Sequence, residues 1–406
     1  MKKPKLRFPE FVGNWKQYKI SEVGNIVTGS TPKTSISENY GGDFLFVSPA
    51  DIQGNRYVNK TITTLTKKGF DQGRKIREKA SLFVSIGSTI GKVAQTNQEL
   101  TTNQQINAVE PYNNFDDDFI FTSLENVAAN IKAIASNQAV PIVNKTTFGN
   151  VEIRVPSELV EQKKISSLFA ELDTLIQSAE KELEGYRELK QGMLQKMFPK
   201  RNEVTPEIRF LEFDGNWEQC KLGDIGKTYT SLSGKTADDF GHGEANFITY
   251  MNVYSNSIAD PTMVAPIEID VKQHEVEVGD VFFTTSSETP DEVGMSCVLK
   301  EKQGIVYLNS FCFGFRPTKS FDLNFLAYML RSNYVRNQIK ILAQGVSRYN
   351  ISKTKMMDVS IIFPDYEEQK KIGECFSNLD NLINLQQKEI DGYKELKKGL
   401  LQQMFC

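Results

Sequence analysis

Metal-binding and disulfide-forming side chains are scarce. The 406-residue chain has only two histidines, His242 and His274, and five scattered cysteines, Cys220, Cys297, Cys312, Cys375 and Cys406. No two cysteines have C-x-x-C spacing and none is spaced from a histidine as zinc ligands are, which excludes a structural zinc site and a disulfide framework. No stretch approaches the run of about 20 apolar residues that spans a bilayer. The opening Met1-Lys2-Lys3-Pro4-Lys5 lacks the apolar segment of a secretory signal, so a cytoplasmic protein without a membrane partner is expected.

Catalytic signatures are missing too. G-x-G-x-x-G, G-x-S-x-G and the Asn/Asp-Pro-Pro run that amino-methyltransferases use around a flipped base do not occur. Gly87-Ser-Thr-Ile-Gly-Lys92 imitates a phosphate-binding loop, but only three residues separate its glycines and Val93 stands where Ser or Thr would hold magnesium. Pro364-Asp365 with Glu368-Gln369-Lys370 imitates a nuclease motif, yet its acids fall within one helical turn, where helix capping explains them. The chain is therefore expected to be non-catalytic, with no metal and no cofactor of its own.

A net charge of -3 argues against a nucleic-acid binder only if charge is evenly spread. It is not. Lys plus Arg against Asp plus Glu is 19 to 15 over residues 1–160, 8 to 19 over 201–315 and 8 to 1 over 316–355. The last window, with Arg316, Arg331, Arg336, Lys340, Arg348, Lys353 and Lys355, can form a positive surface on an acidic protein.

The chain is written twice. Arg7–Gly24 (RFPEFVGNWKQYKISEVG) matches Arg209–Gly226 (RFLEFDGNWEQCKLGDIG) at 10 of 18 positions, including one of the two tryptophans in each copy, Trp15 and Trp217. Glu161–Phe198 matches Glu368–Phe405 at 22 of 38 positions without a gap. Between these ends only landmarks persist: Gly91 opposite Gly294, Asn103 opposite Asn309, Asp118 opposite Asp322. Ends that stay alike around middles that drift imply one shared task and one task that differs between the copies.

The near-identical segments have heptad-like apolar spacing, with a seam at Ile165, Leu168, Leu172, Leu175, Ile176 and Leu183 in the first copy and Ile372, Leu379, Leu382, Ile383 and Ile390 in the second. Each starts just after a proline, and Asp365 with Glu368 has capping-box spacing. A 38-residue helix is roughly 57 Å long, too long for a small domain to cover. Two such stripes bury each other most economically as an antiparallel coiled coil about a pseudo-twofold axis. The variable segments mix short strand-like runs (Phe44–Val47, Leu82–Val84, Val281–Phe283) with one helix each, at about 119–135 and 323–342. The expected architecture is α/β (α+β): two pseudo-twofold-related domains, 1–158 and 201–365, joined by two long helices, 159–200 and 366–406.

The variable segments carry polar loops suited to base edges and phosphates, because Asn and Gln pair bidentately with adenine and Lys or Arg with guanine. Candidates in the first copy are Thr31, Lys33, Lys92, Asn103, Gln104, Gln105, Gln138, Asn144 and Lys145. In the second they are Ser231, Ser233, Lys235, Arg348, Tyr349, Asn350, Lys353 and Lys355.

With TGSTPKTSISENYGGDFLFVSPADI (Thr28–Ile52), GSTIGKVA (Gly87–Ala94), TNQQINAV (Thr102–Val109) and the PSELVEQKKI and PDYEEQKKI helix starts, the chain resembles the specificity subunits of Type I restriction-modification systems over nearly its whole length. That resemblance implies two target-recognition domains, each reading half of a bipartite asymmetric site in double-stranded DNA. It also implies docking of two methyltransferase subunits and two restriction (motor-nuclease) subunits, which would hold the S-adenosylmethionine, ATP and Mg²⁺. The second copy departs from the pattern: TSLSGK replaces TGSTPK, and SSETPDEVGM replaces GSTIGKVA. A coiled-coil interaction scaffold without a DNA role is the alternative reading.

Overall fold

A computed structural model describes residues 4–135, 142–345 and 348–405. The chain divides into two compact units: residues 1–182 with 386–406, and residues 183–385. Both divisions fall inside the long helices Leu159–Lys196 and Tyr366–Met404. The units thus run across the boundaries expected at residues 158, 200 and 365, and the cause is packing. The first turns of each long helix are core-forming, as Ile165 and Phe169 sit in the core of the first unit and Ile372, Phe376 and Leu379 in that of the second.

In the first unit an antiparallel sheet takes the order Gly24–Thr28, Ile106–Pro111, Ser81–Val84, Val93–Gln95. A second sheet orders Thr63–Leu65, Tyr40–Val47, Leu100–Thr102 and Lys75–Ile76, with one parallel pairing between Tyr40–Val47 and Leu100–Thr102. The second unit repeats this plan as Gly226–Tyr229, Cys312–Pro317, Val281–Thr284, Ser296–Val298 and as Val264–Ile267, Phe240–Ile248, Val306–Leu308. The matched GNW segments open strands Lys16–Lys19 and Glu218–Lys221, which pair with Glu152–Val155 and Ser360–Phe363 just before each long helix.

The repeated sequence ends meet in the cores. Arg7 grips Glu161 through Nε (2.6 Å) and Nη2 (2.8 Å), and Arg209 grips Glu368 through the same two nitrogens, both at 2.7 Å. Beside each pair lies an aromatic quartet: Trp15, Phe119, Phe169 and Phe405 in one unit, Trp217, Phe325, Phe376 and Phe198 in the other. The last ring of each quartet comes from the end of the other copy's helix. Such ring pairs add about 0.5–1.5 kcal/mol each beyond burial, which explains why these sequence ends did not drift.

Within each unit the helix segments pair antiparallel. In the first, Lys394 meets Glu180 while Lys397, one turn on, meets Asp173 at 2.7 Å, and Phe405 reaches Phe169. In the second, Lys190 meets Asp380 and Phe198 meets Phe376. Ile165, Leu172 and Leu183 are buried, as are Ile372, Leu379 and Ile390; Leu168, Ile176 and Ile383 are half-buried. Leu175 and Leu382 correct the expected seam, being 46% and 41% exposed. The 3-4 alternation passes through Leu172, Ile176, Ala179 and Leu183, so Leu175 stands one residue, about 100° of helix, off the stripe. Leu382 has the same relation to Ile383.

Three further expectations are revised. The helix expected over 323–342 is two, Leu323–Arg331 and Asn333–Leu342, broken at Ser332, whose extended backbone ends the first helix and whose hydroxyl donates back to the Met329 carbonyl at 2.7 Å. Asp365 does cap the second long helix, accepting from the Glu368 amide at 3.0 Å, but Glu368 leaves the capping box incomplete because its carboxylate turns to Arg209. The partner of Asp322 is Asp116, not Asp118: each accepts from the amide three residues on, and each amide donates to the glutamine of EQKKI.

Candidate nucleic-acid interface

Strands bring distant polar loops together in each unit. In the first, the Ser85 amide donates to the Gln105 carbonyl (2.8 Å) and the Val143 amide to the Ser85 carbonyl (2.8 Å). The Gly29 and Ser30 amides donate to Ile106 and Thr102, and the Thr31 hydroxyl to Gln104 Oε1. Loops 29–33, 85–92, 103–105 and 142–145 therefore converge. Asn103 closes a tight turn by accepting from the Gln105 amide at 3.0 Å, and its own amide group donates to Gln105 Oε1 at 3.0 Å, which leaves Gln105 Nε2 without a hydrogen-bond partner among the described residues. Asn144 caps the short helix Lys145–Gly149. Thr31, Lys33, Gln104, Asn144 and Lys145 are exposed, and Lys92, Asn103 and Gln105 are half-buried. Gln138 lies outside the described residues.

The GSTIGK string is a hairpin turn between Ser81–Val84 and Val93–Gln95, with Gly87 and Gly91 at φ of +97° and +91°. No helix follows its lysine, so the backbone does not form the strand-loop-helix cradle of a phosphate-binding loop.

The second unit builds the same cradle. Asn309 Oδ1 accepts from the Phe311 amide at 3.0 Å, and the Thr285 amide and hydroxyl donate to the Phe311 carbonyl at 3.2 and 2.9 Å. The Thr285 carbonyl accepts from Ile351, and Ser286–Ser287 pairs with Tyr349–Asn350. Ser352 caps the helix Lys353–Met357 as Asn144 caps its counterpart. Tyr349 and Asn350 are thus joined through Thr285 to the backbone of Phe311, with Arg348 before them and Lys353 and Lys355 on the helix that follows. Ser231 and Ser233 lie on the loop that Leu232 ties to Leu308, equivalent to the Gly29–Lys33 loop.

Charge pairing separates the candidates. Among the described residues no ion pair is made by Lys33, Lys92, Lys145, Arg348, Lys353 or Lys355. Lys235 is different. Its side chain is 13% exposed and its ammonium is held by Asp270 at 2.9 Å and Asp239 at 3.7 Å, so little charge is left for a phosphate. Lys235 first, then the Lys272 amide and the Gln273 side chain, lower the Asp270 carboxyl to about 2.

The expected basic surface over 316–355 shrinks accordingly. Arg316 is held by Asp280 and Glu277, and Lys340 by Asp291. Arg331 and Arg336 are internal: the first caps the carbonyls of Val253, Tyr254, Asn256 and Ser296, the second those of Asp291, Val293 and Gly294. Burial pushes both guanidinium groups down to about 10. They fix the shape of two loops, whereas Arg348 is exposed and Lys353 and Lys355 are half-buried.

Residues passed over in the sequence also line this region. Tyr250 donates to the Ser286 carbonyl at 3.3 Å and stacks on Tyr254, and Glu292 accepts from Ser287 at 3.0 Å. Hydrogen bonds from Tyr254 first, then Ser287 and Thr289, hold the Glu292 carboxyl below its usual range. The departure of SSETPDEVGM from GSTIGKVA was the available signal for Glu292; the tyrosines gave none.

Among the described residues no cluster of His, Cys, Asp and Glu could hold a metal ion, and no helix is long and apolar enough to cross a membrane. The family model for the Type I restriction modification DNA specificity domain matches twice, over residues 13–185 and 214–393. The chain is 23% identical to the Type I restriction enzyme MjaVIII specificity subunit of Methanocaldococcus jannaschii, over 98% of this chain and 92% of that one. It is 32% identical to the HindI specificity subunit of Haemophilus influenzae over 38% of this chain and 35% of that one. The crystal structure of the Type I restriction-modification S subunit from M. genitalium shares the fold, with a TM-score of 0.60 at 14% identity over 100% of this chain and 99% of that one.

Proposed function

The chain belongs to the family of Type I restriction-modification DNA specificity subunits, and from that premise we propose how it reads DNA. Each unit presents one set of loops to one half of a bipartite, asymmetric site in double-stranded DNA. The observation that carries this reading is one backbone cradle built twice with different side chains on it: Asn103–Gln105 over Ser85 in the first unit, Asn309–Phe311 over Thr285 in the second. Like cradles place unlike side chains equivalently, so each unit reads different bases in the same manner. The unpaired Lys33, Lys92 and Lys145, and Arg348, Lys353 and Lys355, supply phosphate contacts that are insensitive to sequence.

The assembly is proposed to hold two methyltransferase and two motor-nuclease subunits. S-adenosylmethionine, ATP and Mg²⁺ belong to those partners, and this chain contributes no catalytic group. Its place of action is the cytoplasm. Residues 1–158 and 201–365 are the portions to exchange when one half-site is to be changed, with 159–200 and 366–406 kept as the shared frame.

The test uses the chain assembled with its methylase partner. Cognate duplex is defined by mapping methylated adenines in cells that express both, and cognate and scrambled duplexes are titrated at several salt concentrations. Replacing Arg348, Lys353 and Lys355 together by alanine is expected to weaken both duplexes and to lower the salt slope by about 0.9 per lost phosphate contact. If Arg348 instead grips a guanine, Arg348→Ala alone costs about 1–3 kcal/mol on cognate DNA and relaxes one base pair. Wild-type affinity and slope for the triple variant would refute the assignment. Equal binding of cognate and scrambled DNA by the wild type would favour a scaffold.

A further inference from the structure

Among the described residues, which include all 26 phenylalanines, Phe311 is the one that is exposed, at 62%, while most of the others lie in the cores. Its backbone is not loose: both its amide and its carbonyl are held, by Asn309 and Thr285. A large apolar ring on a fixed backbone in water costs free energy, and an isolated exposed apolar residue would need no account if it lay on an arbitrary surface. Phe311 does not. It shares Thr285 with the strand pairing that presents Tyr349 and Asn350, next to the unpaired Arg348 and the helix bearing Lys353 and Lys355.

The other copy shows what the position is for. There the same turn carries Gln105, whose Nε2, without a partner among the described residues, is a hydrogen-bond donor. A hydrogen-bonding side chain on one unit and a phenyl ring at the equivalent place on the other match the two kinds of base-edge contact in the major groove. Amides pair with polar edge atoms, and apolar groups, phenylalanine among them, pack on the 5-methyl group of thymine.

We propose that Phe311 is a specificity-determining residue of the second unit, placed to pack against the methyl group of a thymine in the half-site that this unit reads. The inference rests on the DNA-reading assignment above and adds the base chemistry. A phenyl ring cannot donate to or accept from a base edge in the plane, so the discrimination it offers is for a methyl-bearing pyrimidine.

The experiment compares wild type with Phe311→Ala and Phe311→Leu, each assembled with the methylase partner, on the mapped duplex with every thymine of the second half-site replaced in turn by deoxyuridine. Deoxyuridine removes only the methyl group and leaves pairing intact. At one position the wild type is expected to lose about three- to fivefold in affinity, the scale of one buried methyl group. There Phe311→Ala is expected to bind natural and substituted DNA alike, and Phe311→Leu to keep part of the methyl dependence. Identical methyl sensitivity in wild type and Phe311→Ala, unchanged affinity of Phe311→Ala for natural duplex, or a second half-site without thymine overturns the proposal. Each of those outcomes leaves cognate preferred over scrambled DNA. Loss of that preference in the wild type is the separate result that also overturns the underlying assignment.

Discussion

Removing the Glu368 carboxylate tests how the repeated sequence ends hold a unit together. Glu368 is fully buried and makes two bonds of 2.7 Å to Arg209, whose side chain is 16% exposed. In Glu368→Ala the guanidinium loses its counter-charge but keeps the carbonyls of Asp214 and Gly215 as acceptors. Breaking one side of a buried pair costs about 3–5 kcal/mol. The residual exposure of Arg209 and its remaining acceptors place this case at the lower end, about 3 kcal/mol. With a urea dependence of about 3 kcal/mol per molar for a unit of this size, the unfolding midpoint falls by about 1 M. Each unit has its own tryptophan, buried beside its own pair, so Trp15→Phe makes intrinsic fluorescence a reporter of the second unit alone. In that background Glu368→Ala should lower the midpoint by about 1 M, while Arg209→Met with Glu368→Leu should come within about 1 kcal/mol of the parent, because a paired charge and a well-packed apolar pair are close in free energy. A shift below about 0.3 M, or a double variant no better than the single one, would refute the reasoning.

Two further perturbations use the complementary Trp217→Phe background, where Trp15 reports the first unit. Leu172→Asp puts a charge at a 5% exposed position and is expected to cost several kcal/mol, whereas Leu175→Asp, at 46% exposure, should stay within about 0.5 kcal/mol; equal effects would place the stripe wrongly. Glu125 is held above its ordinary value of 4.5, chiefly by burial and against the pull of Lys397, so its favourable contribution is full below that value and is lost as pH rises through the folded-state value. Glu125→Gln removes that loss, and its midpoint relative to wild type should rise between pH 4.5 and 7; a constant difference across that range would show Glu125 to titrate normally.

Much of the organisation was legible in the sequence because it is written in patterns that local chemistry enforces. The duplication and the two long helices followed from matched strings and heptad spacing. The loops also stood out, as polar runs between strand-like segments. The charge of those loops was less legible, because a count of lysines and arginines cannot tell Arg336, which spends its donors on backbone carbonyls, from Arg348, which faces out.

By itself, then, the sequence determined where the two long helices run and which residues recur in both copies, since these depend on periodicity and residue type along the chain. Tertiary structure alone decided which buried partner each recurring residue meets: that Glu368 serves Arg209 and not its own helix cap, that Phe405 completes the first unit's aromatic quartet and Phe198 the second's, and that Asp270 neutralises Lys235 while Lys353 makes no ion pair among the described residues. These are contacts between residues far apart in the chain, selected by which side chains can share a dry space or a counter-charge, and no local spacing encodes them.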